Sequence, residues 1–406
     1  MVTISSEQAM ARRRARMAAT PAFLRGAFRP FFFAGSLWAV LALVLWLCAL
    51  AGAVELPTLF DPLSWHRHEM LFGFAGAIVG GFLLTAIANW TARPLISGAP
   101  LAGLFGLWVA ARIAILFSAE TGAALAAFLD TGFYLLLAAL AAREVIAVRN
   151  RNVPAVALVL LLGVAAAADH AARAGLIADE GIGVRGGIAL IVMMISLIGG
   201  RIIPAFTRNW LAKSGRTERL PVPANRYDLA VLGVTAIAFL AWIAAPLAAA
   251  TGFFLLLAGL MQGVRLARWR GLAAAAEPLV IVLHIGYAWV PIGLLLLGAG
   301  LLGSAIPGSI AIHALTAGAM ATMILAVMTR ATLGHTGREL QAGGGTVLIY
   351  ALVTLGALLR VVAPFGLIDY TLGMRVAGLA WGGAFLVFLL VYGRYLLTPH
   401  RTDPAR

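Results

Sequence analysis

The sequence predicts an all-helical, polytopic membrane protein of about twelve transmembrane helices. Three observations carry that prediction. Of 406 residues, 62% are hydrophobic and only 11% charged, whereas soluble chains are nearer a quarter charged. The mean hydropathy is +0.97. The apolar residues also fall into successive runs of about the 20 residues that a bilayer core requires.

Taken in order, the runs cover approximately 31–53, 68–90, 99–118, 121–142, 154–172 and 184–206, then 228–246, 248–268, 277–299, 308–331, 345–364 and 373–396. The first contains the single cysteine, Cys48, so an intrachain disulfide and thiolate metal clusters are excluded. It ends "ALAG", which resembles a signal-peptidase site. The run is longer than a signal core of about 7–15 residues, so the reading is an uncleaved anchor. No connection is long enough for a separate domain. The longest, around 207–228, contains "KSGRTERLPVPANR" and reads as a polar hinge.

The formal charge of +14 does not point to nucleic acid, because the basic residues are scattered between apolar runs. They concentrate in "ARRRARMAATPAFLRGAFR", near 143–151, 208–226, 265–270 and 330–338, and in the tail. The alternate connections carry Glu55, Asp61, Asp179, Glu180 and Asp369, with Arg173 the exception. The positive-inside rule then places both termini in the cytoplasm. The expected organisation is a basic cytoplasmic segment over 1–30, a twelve-helix transmembrane domain over 31–396 and a cytoplasmic tail over 397–406.

A repeat is visible at one end of three helices. The second ends "GGFLLTAIANWTAR", the sixth "GGRIIPAFTRNW" and the tenth "ILAVMTRATLGH". Asn89-Trp90 and Asn209-Trp210 are 120 residues apart, and Thr207-Arg208 and Thr329-Arg330 are 122 apart. That spacing equals four helices and suggests three four-helix arcs, with helices 2, 6 and 10 lining one central cavity.

The candidate site residues are mainly histidines. "WHRHEM" places His66 and His68 at the mouth of helix 2, with Glu69 as the only acidic neighbour in view. His313 lies just inside helix 10 on the same side, and His170 ends helix 5 there. His284 falls in the opposite half of helix 9. His335 follows helix 10, about 30 Å from His313 along a regular helix. Imidazole ligates haem iron and copper, and an imidazole near hydrocarbon needs such a compensating bond. The expectation is therefore haem iron between His313 and either His66 or His68. His284 and His335 would serve a distinct site, copper or a second haem. His170 reads as a solvated interfacial residue. Arg201, Arg208 and Arg330 are either snorkelling anchors or partners for a haem propionate. Pro204 beside them reads as helix-breaking. Met320, Met323 and Met328 are soft donors but fit core filling as well.

The blocks "FRPFF", "WHRHEMLFGFAGAIVGGFLLTAIANWT", "GGRIIPAFTRNW" and "HALTAGAMATMILAVMTRATLGHTGR" together resemble the NnrS family, from Phe28 to the last helix. That resemblance implies an integral membrane protein with haem, of undetermined type with b-type favoured, and copper. It implies a role in the response to nitric oxide and nitrosative stress. The family's histidine-bearing blocks fall on His66, His68, His284, His313 and His335; His170 is in none of them. Nitric oxide is the expected ligand, the lipid bilayer the surroundings, and the electron donor is left open. Two other readings stand beside a nitric-oxide-binding protein. One is a nitric oxide reductase, since three arcs of four helices resemble the catalytic subunit of haem–copper oxidases. The absence of an adjacent His-His pair and the spread of histidine depths weigh against a full dinuclear site. The other is a proton-coupled transporter, weakened because the intramembrane carboxylates, Asp130, Asp169 and Glu277, are few and mostly near helix ends.

Overall fold

A computed structural model describes residues 19–401; most of the basic segment expected over 1–30, and residues 402–406 of the tail, lie outside the described residues. Among the described residues there is no strand, and twelve helices are long and apolar enough to cross a bilayer. They are α1 (Phe28–Leu50), α2 (Pro62–Thr91), α3 (Ala99–Leu116), α4 (Ala123–Ala147), α5 (Val153–Arg173), α6 (Ile182–Lys213), α7 (Arg226–Ala244), α8 (Ala249–Ala267), α9 (Pro278–Leu301), α10 (Gly308–His335), α11 (Gly344–Phe365) and α12 (Tyr370–Leu397). An even number of spans returns the chain to the side from which α1 starts. We call that side the terminal face, and the side where α2 begins the distal face.

Two helices depart from the sequence reading in ways that matter for the site. α2 starts at Pro62, six residues early, because Asp61 caps it: Oδ1 accepts from the amides of Leu63 and Ser64, each at 3.0 Å. Pro62 suits the first helical position, where its missing N–H costs nothing. "WHRHEM" is therefore already helical and not the mouth of the span. α6 runs on to Lys213, and Pro204 lies inside it without ending it. That correction shortens the polar connection expected around 207–228.

The packing advances by four helices at a time. α3–α4, α7–α8 and α11–α12 are neighbours, as are α4–α5, α8–α9 and α12–α1, and α5–α6, α9–α10 and α1–α2. α12 against α1 closes the ring. α6 contacts both α2 and α10 near its middle. The apolar stretches of α2, α6 and α10 are 78%, 61% and 67% buried, against 33% for α1, α4 and α7. Among these three helices and Ala155 of α5 lies a partly open apolar cavity of about 90 Å³, lined by Ile78 and Phe82, Met194 and Ile198, and Met320 and Met323. The three-arc arrangement with one central cavity is thus present.

Each central helix also contains a π-helical stretch: Glu69–Ala75 in α2, Ile195–Gly199 in α6 and Ala314–Met320 in α10. A π turn loosens the i→i−4 ladder, re-aims the side chains around it and is frequent at functional sites. In α2 and α10 the residue just before the stretch is a histidine, His68 and His313 respectively.

Candidate functional site

Two residues apart on a helix, side chains diverge by about 200°, so His66 and His68 serve opposite flanks of α2. The His66 ring stacks on Trp46 of α1 at 3.9 Å and 20°. Its Nδ1 is buried with no hydrogen-bond partner. It lies within electrostatic reach of His313 on α10, with Arg67 and Arg360 beside both imidazoles. His313 Nδ1 is 2.6 Å from the carbonyl oxygen of Ser309. A carbonyl only accepts, so Nδ1 is the donor and a neutral ring keeps its Nε2 lone pair free. Arg360 donates to Met374 Sδ at 2.9 Å, and neither Arg67 nor Arg360 forms an ion pair with a carboxylate among the described residues.

The other flank carries a buried network. His68 Nδ1 is 2.8 Å from Asp169 Oδ2, and His68 Nε2 is 3.1 Å from Asp130 Oδ2. His170 Nε2 is 3.2 Å from the same Asp130 oxygen. Arg112 of α3 donates to Asp130 Oδ1 and, at 2.8 Å, to Glu69 Oε2. Trp38 Nε1 donates to Glu69 Oε2 at 2.6 Å. Toward the distal face Arg173 is 3.6 Å from Asp169 and 3.8 Å from Asp61. His68, Glu69, Asp130 and Asp169 are fully enclosed.

Two expectations are overturned here. His170 is not solvated at the interface: it is 8% exposed and points at Asp130. His68 does not lack acidic partners, since Asp130 and Asp169 approach from α4 and α5. Sequence reasoning missed Arg112, Asp130 and Asp169 as site residues because their partners, Arg173 apart, lie between 18 and 101 residues away. The available signal was their cost: charged groups within apolar spans require partners.

The remaining predicted residues are not part of either group. His284 Nε2 is 2.9 Å from Thr207 Oγ1 of α6, and its Nδ1 is buried without a partner. His335 packs on the ring of Phe28, with centroids 5.4 Å apart. Arg201 donates to Asn152 at 2.7 Å, Arg208 to the Pro221 carbonyl, and Arg330 lies 3.9 Å over the Phe206 ring. All three arginines are toward the terminal face, more than half a span from His66 and His313. The guanidiniums beside those imidazoles are instead Arg67 and Arg360.

Three features around His66 and His313 suit the requirements of an iron porphyrin. One imidazole nitrogen is buried and unpaired, which calls for an unseen partner. The other ring has its Nδ1 tied to a carbonyl, as metal-bound histidines usually do. Two guanidiniums that pair with no carboxylate among the described residues lie within electrostatic reach of both rings, and bidentate carboxylate recognition is what guanidinium does best. Among known proteins, a family model described as NnrS protein matches residues 22–400. No curated protein matches the chain.

Proposed function

The chain belongs to the NnrS family, and on that premise we propose that it is a haem-binding protein of the bacterial inner membrane that acts in the response to nitric oxide. Both termini are then cytoplasmic and the distal face is periplasmic. The observation that carries the reading is that His66 and His313 lie within electrostatic reach of each other, one with an unpaired buried nitrogen and the other with its ring oriented through Ser309. When bound, the haem supplies one-electron redox chemistry and an iron atom with affinity for nitric oxide.

The protein's part follows from the surroundings of each imidazole. The Ser309 carbonyl fixes the His313 tautomer and makes its free nitrogen the stronger donor. His66 stacks on Trp46 and its Nδ1 has no hydrogen-bond partner, so it would hold the iron less firmly than His313. Arg67 and Arg360 would hold the two propionates toward the distal face. The apolar cavity among α2, α6 and α10 is suited to a small uncharged molecule, which needs no hydrogen bond to enter it.

The test is a visible absorption spectrum of the purified protein, oxidised and reduced, before and after nitric oxide. The expected result is a haem spectrum at about one haem per chain, shifted by nitric oxide in a saturable manner. A colourless protein from haem-replete cells, or bands indifferent to nitric oxide, would contradict the proposal.

A further inference from the structure

Two imidazole nitrogens converge on one carboxylate oxygen inside the α2–α4–α5 network. His68 Nε2 and His170 Nε2 stand 3.1 and 3.2 Å from Asp130 Oδ2. A carboxylate oxygen offers only lone pairs, so whatever lies among these three atoms must be positive. His68 has already committed its other nitrogen, because Nδ1 is 2.8 Å from Asp169 Oδ2. A neutral His68 that donates to Asp169 presents a bare Nε2 lone pair to Asp130. An imidazole backed by a carboxylate, with its far nitrogen free, is the usual arrangement of a metal-bound histidine.

The dimensions and the charge agree with that reading. The three ligand atoms lie within 4.8 Å of one another. The separations of 3.1 and 3.2 Å are near the edge of about 3.3 Å expected for a tetrahedron with bonds near 2.0 Å. Glu69, Asp130 and Asp169 face Arg112 and Arg173, three carboxylates against two guanidiniums. With both imidazoles neutral, one negative charge is left over in a region where an uncompensated charge is costly. Two nitrogens and one oxygen suit borderline divalent transition metals over calcium or magnesium. Entry is from the distal face, where Asp61 is 61% exposed and Arg173 lies between it and Asp169.

We propose that His68, Asp130 and His170 bind one divalent transition metal ion, with Asp169 orienting His68 from behind. The site is separate from the His66–His313 pair, on the opposite flank of α2, and does not depend on haem being bound there.

Zinc is the probe. The full-length protein in detergent is stripped with chelator, equilibrated with zinc, and its bound zinc counted by elemental analysis. Zinc-edge X-ray absorption then reports the ligands. About one zinc per chain is expected, with two imidazoles in its shell. His170→Gln keeps a polar group of similar reach and should weaken zinc binding at least about tenfold. His284→Ala, outside both groups, should leave zinc unchanged. Gel filtration and thermal unfolding of His170→Gln establish that it is folded. Two outcomes overturn the proposal: no stoichiometric zinc in the wild type, or equal zinc in the wild type and a folded His170→Gln. In either case the cluster holds a proton, as an imidazolium bridging two aspartates.

Discussion

Arg112 shows how single residues carry the distal half of the molecule. Its guanidinium is 3% exposed and joins Glu69 of α2 to Asp130 of α4. Removing one member of a buried ion pair strands the other charges and costs about 3–5 kcal/mol. Arg112→Ala should therefore lower stability by about that amount, seen as a large fall in the thermal unfolding midpoint in detergent. A midpoint within error of the wild type would mean that water reaches the network. At this scale the sequence was only partly legible. His66, His68 and His313 stand out because an imidazole in an apolar run is conspicuous. Arg67 and Arg360 do not, because an arginine near the end of a span looks like an ordinary interfacial anchor. Only the fold shows that these two stand beside imidazoles with no carboxylate to pair with.

Helix ends and π turns set where those residues point. At Asp61, burial pushes the carboxyl up, but hydrogen bonds from Ser64 and the charge of Arg173 outweigh it and hold the group below its usual range. A depressed carboxyl stabilises the fold above the unfolded value near 3.9 and loses that contribution as pH falls through its folded value. Asp61→Ala should cost about 1 kcal/mol at neutral pH. The difference from the wild type should shrink as the solution is acidified below about pH 4. A difference that persists at low pH would show that Asp61 acts by packing alone. The π stretch of α10 makes a second test. A Cβ at Gly318 would lie 2.6 Å from the Trp289 ring, while one at Gly378 in α12 meets nothing within 4 Å. Gly318→Ala should destabilise by about 1–3 kcal/mol, whereas Gly378→Ala should be neutral or slightly stabilising. Equal effects would mean that α9 and α10 pack less tightly there than these contacts imply. The π stretches themselves were not legible. Their sequences, such as "ALTAGAM", read as ordinary small apolar helix.

At the scale of the whole molecule, the twelve spans and the four-helix repeat were legible because a bilayer imposes length and hydropathy on every crossing. Asn89-Trp90 and Asn209-Trp210 marked equivalent helices, and the packing of α2, α6 and α10 around one cavity is the counterpart of that spacing. What the repeat did not disclose is its division of labour. Helices α2, α4 and α5 supply the buried His68–Asp130–His170 cluster, while at the equivalent place among α6–α9 Arg265 donates to Asp228, Ser196 and Tyr287, with no histidine in that network among the described residues. Orientation remains a prediction of the basic connections. Reporter fusions at Arg216 and after the last residue should both read cytoplasmic, and a periplasmic reading at either would reverse the two faces.

The central claim is that α2 and α10 hold one haem between His66 and His313. Haem retained per chain in His313→Ala, compared with the wild type and with His284→Ala, tests it most directly. His313→Ala should lose most of its haem, with full occupancy in His284→Ala. Full occupancy and an unchanged spectrum in His313→Ala would contradict it.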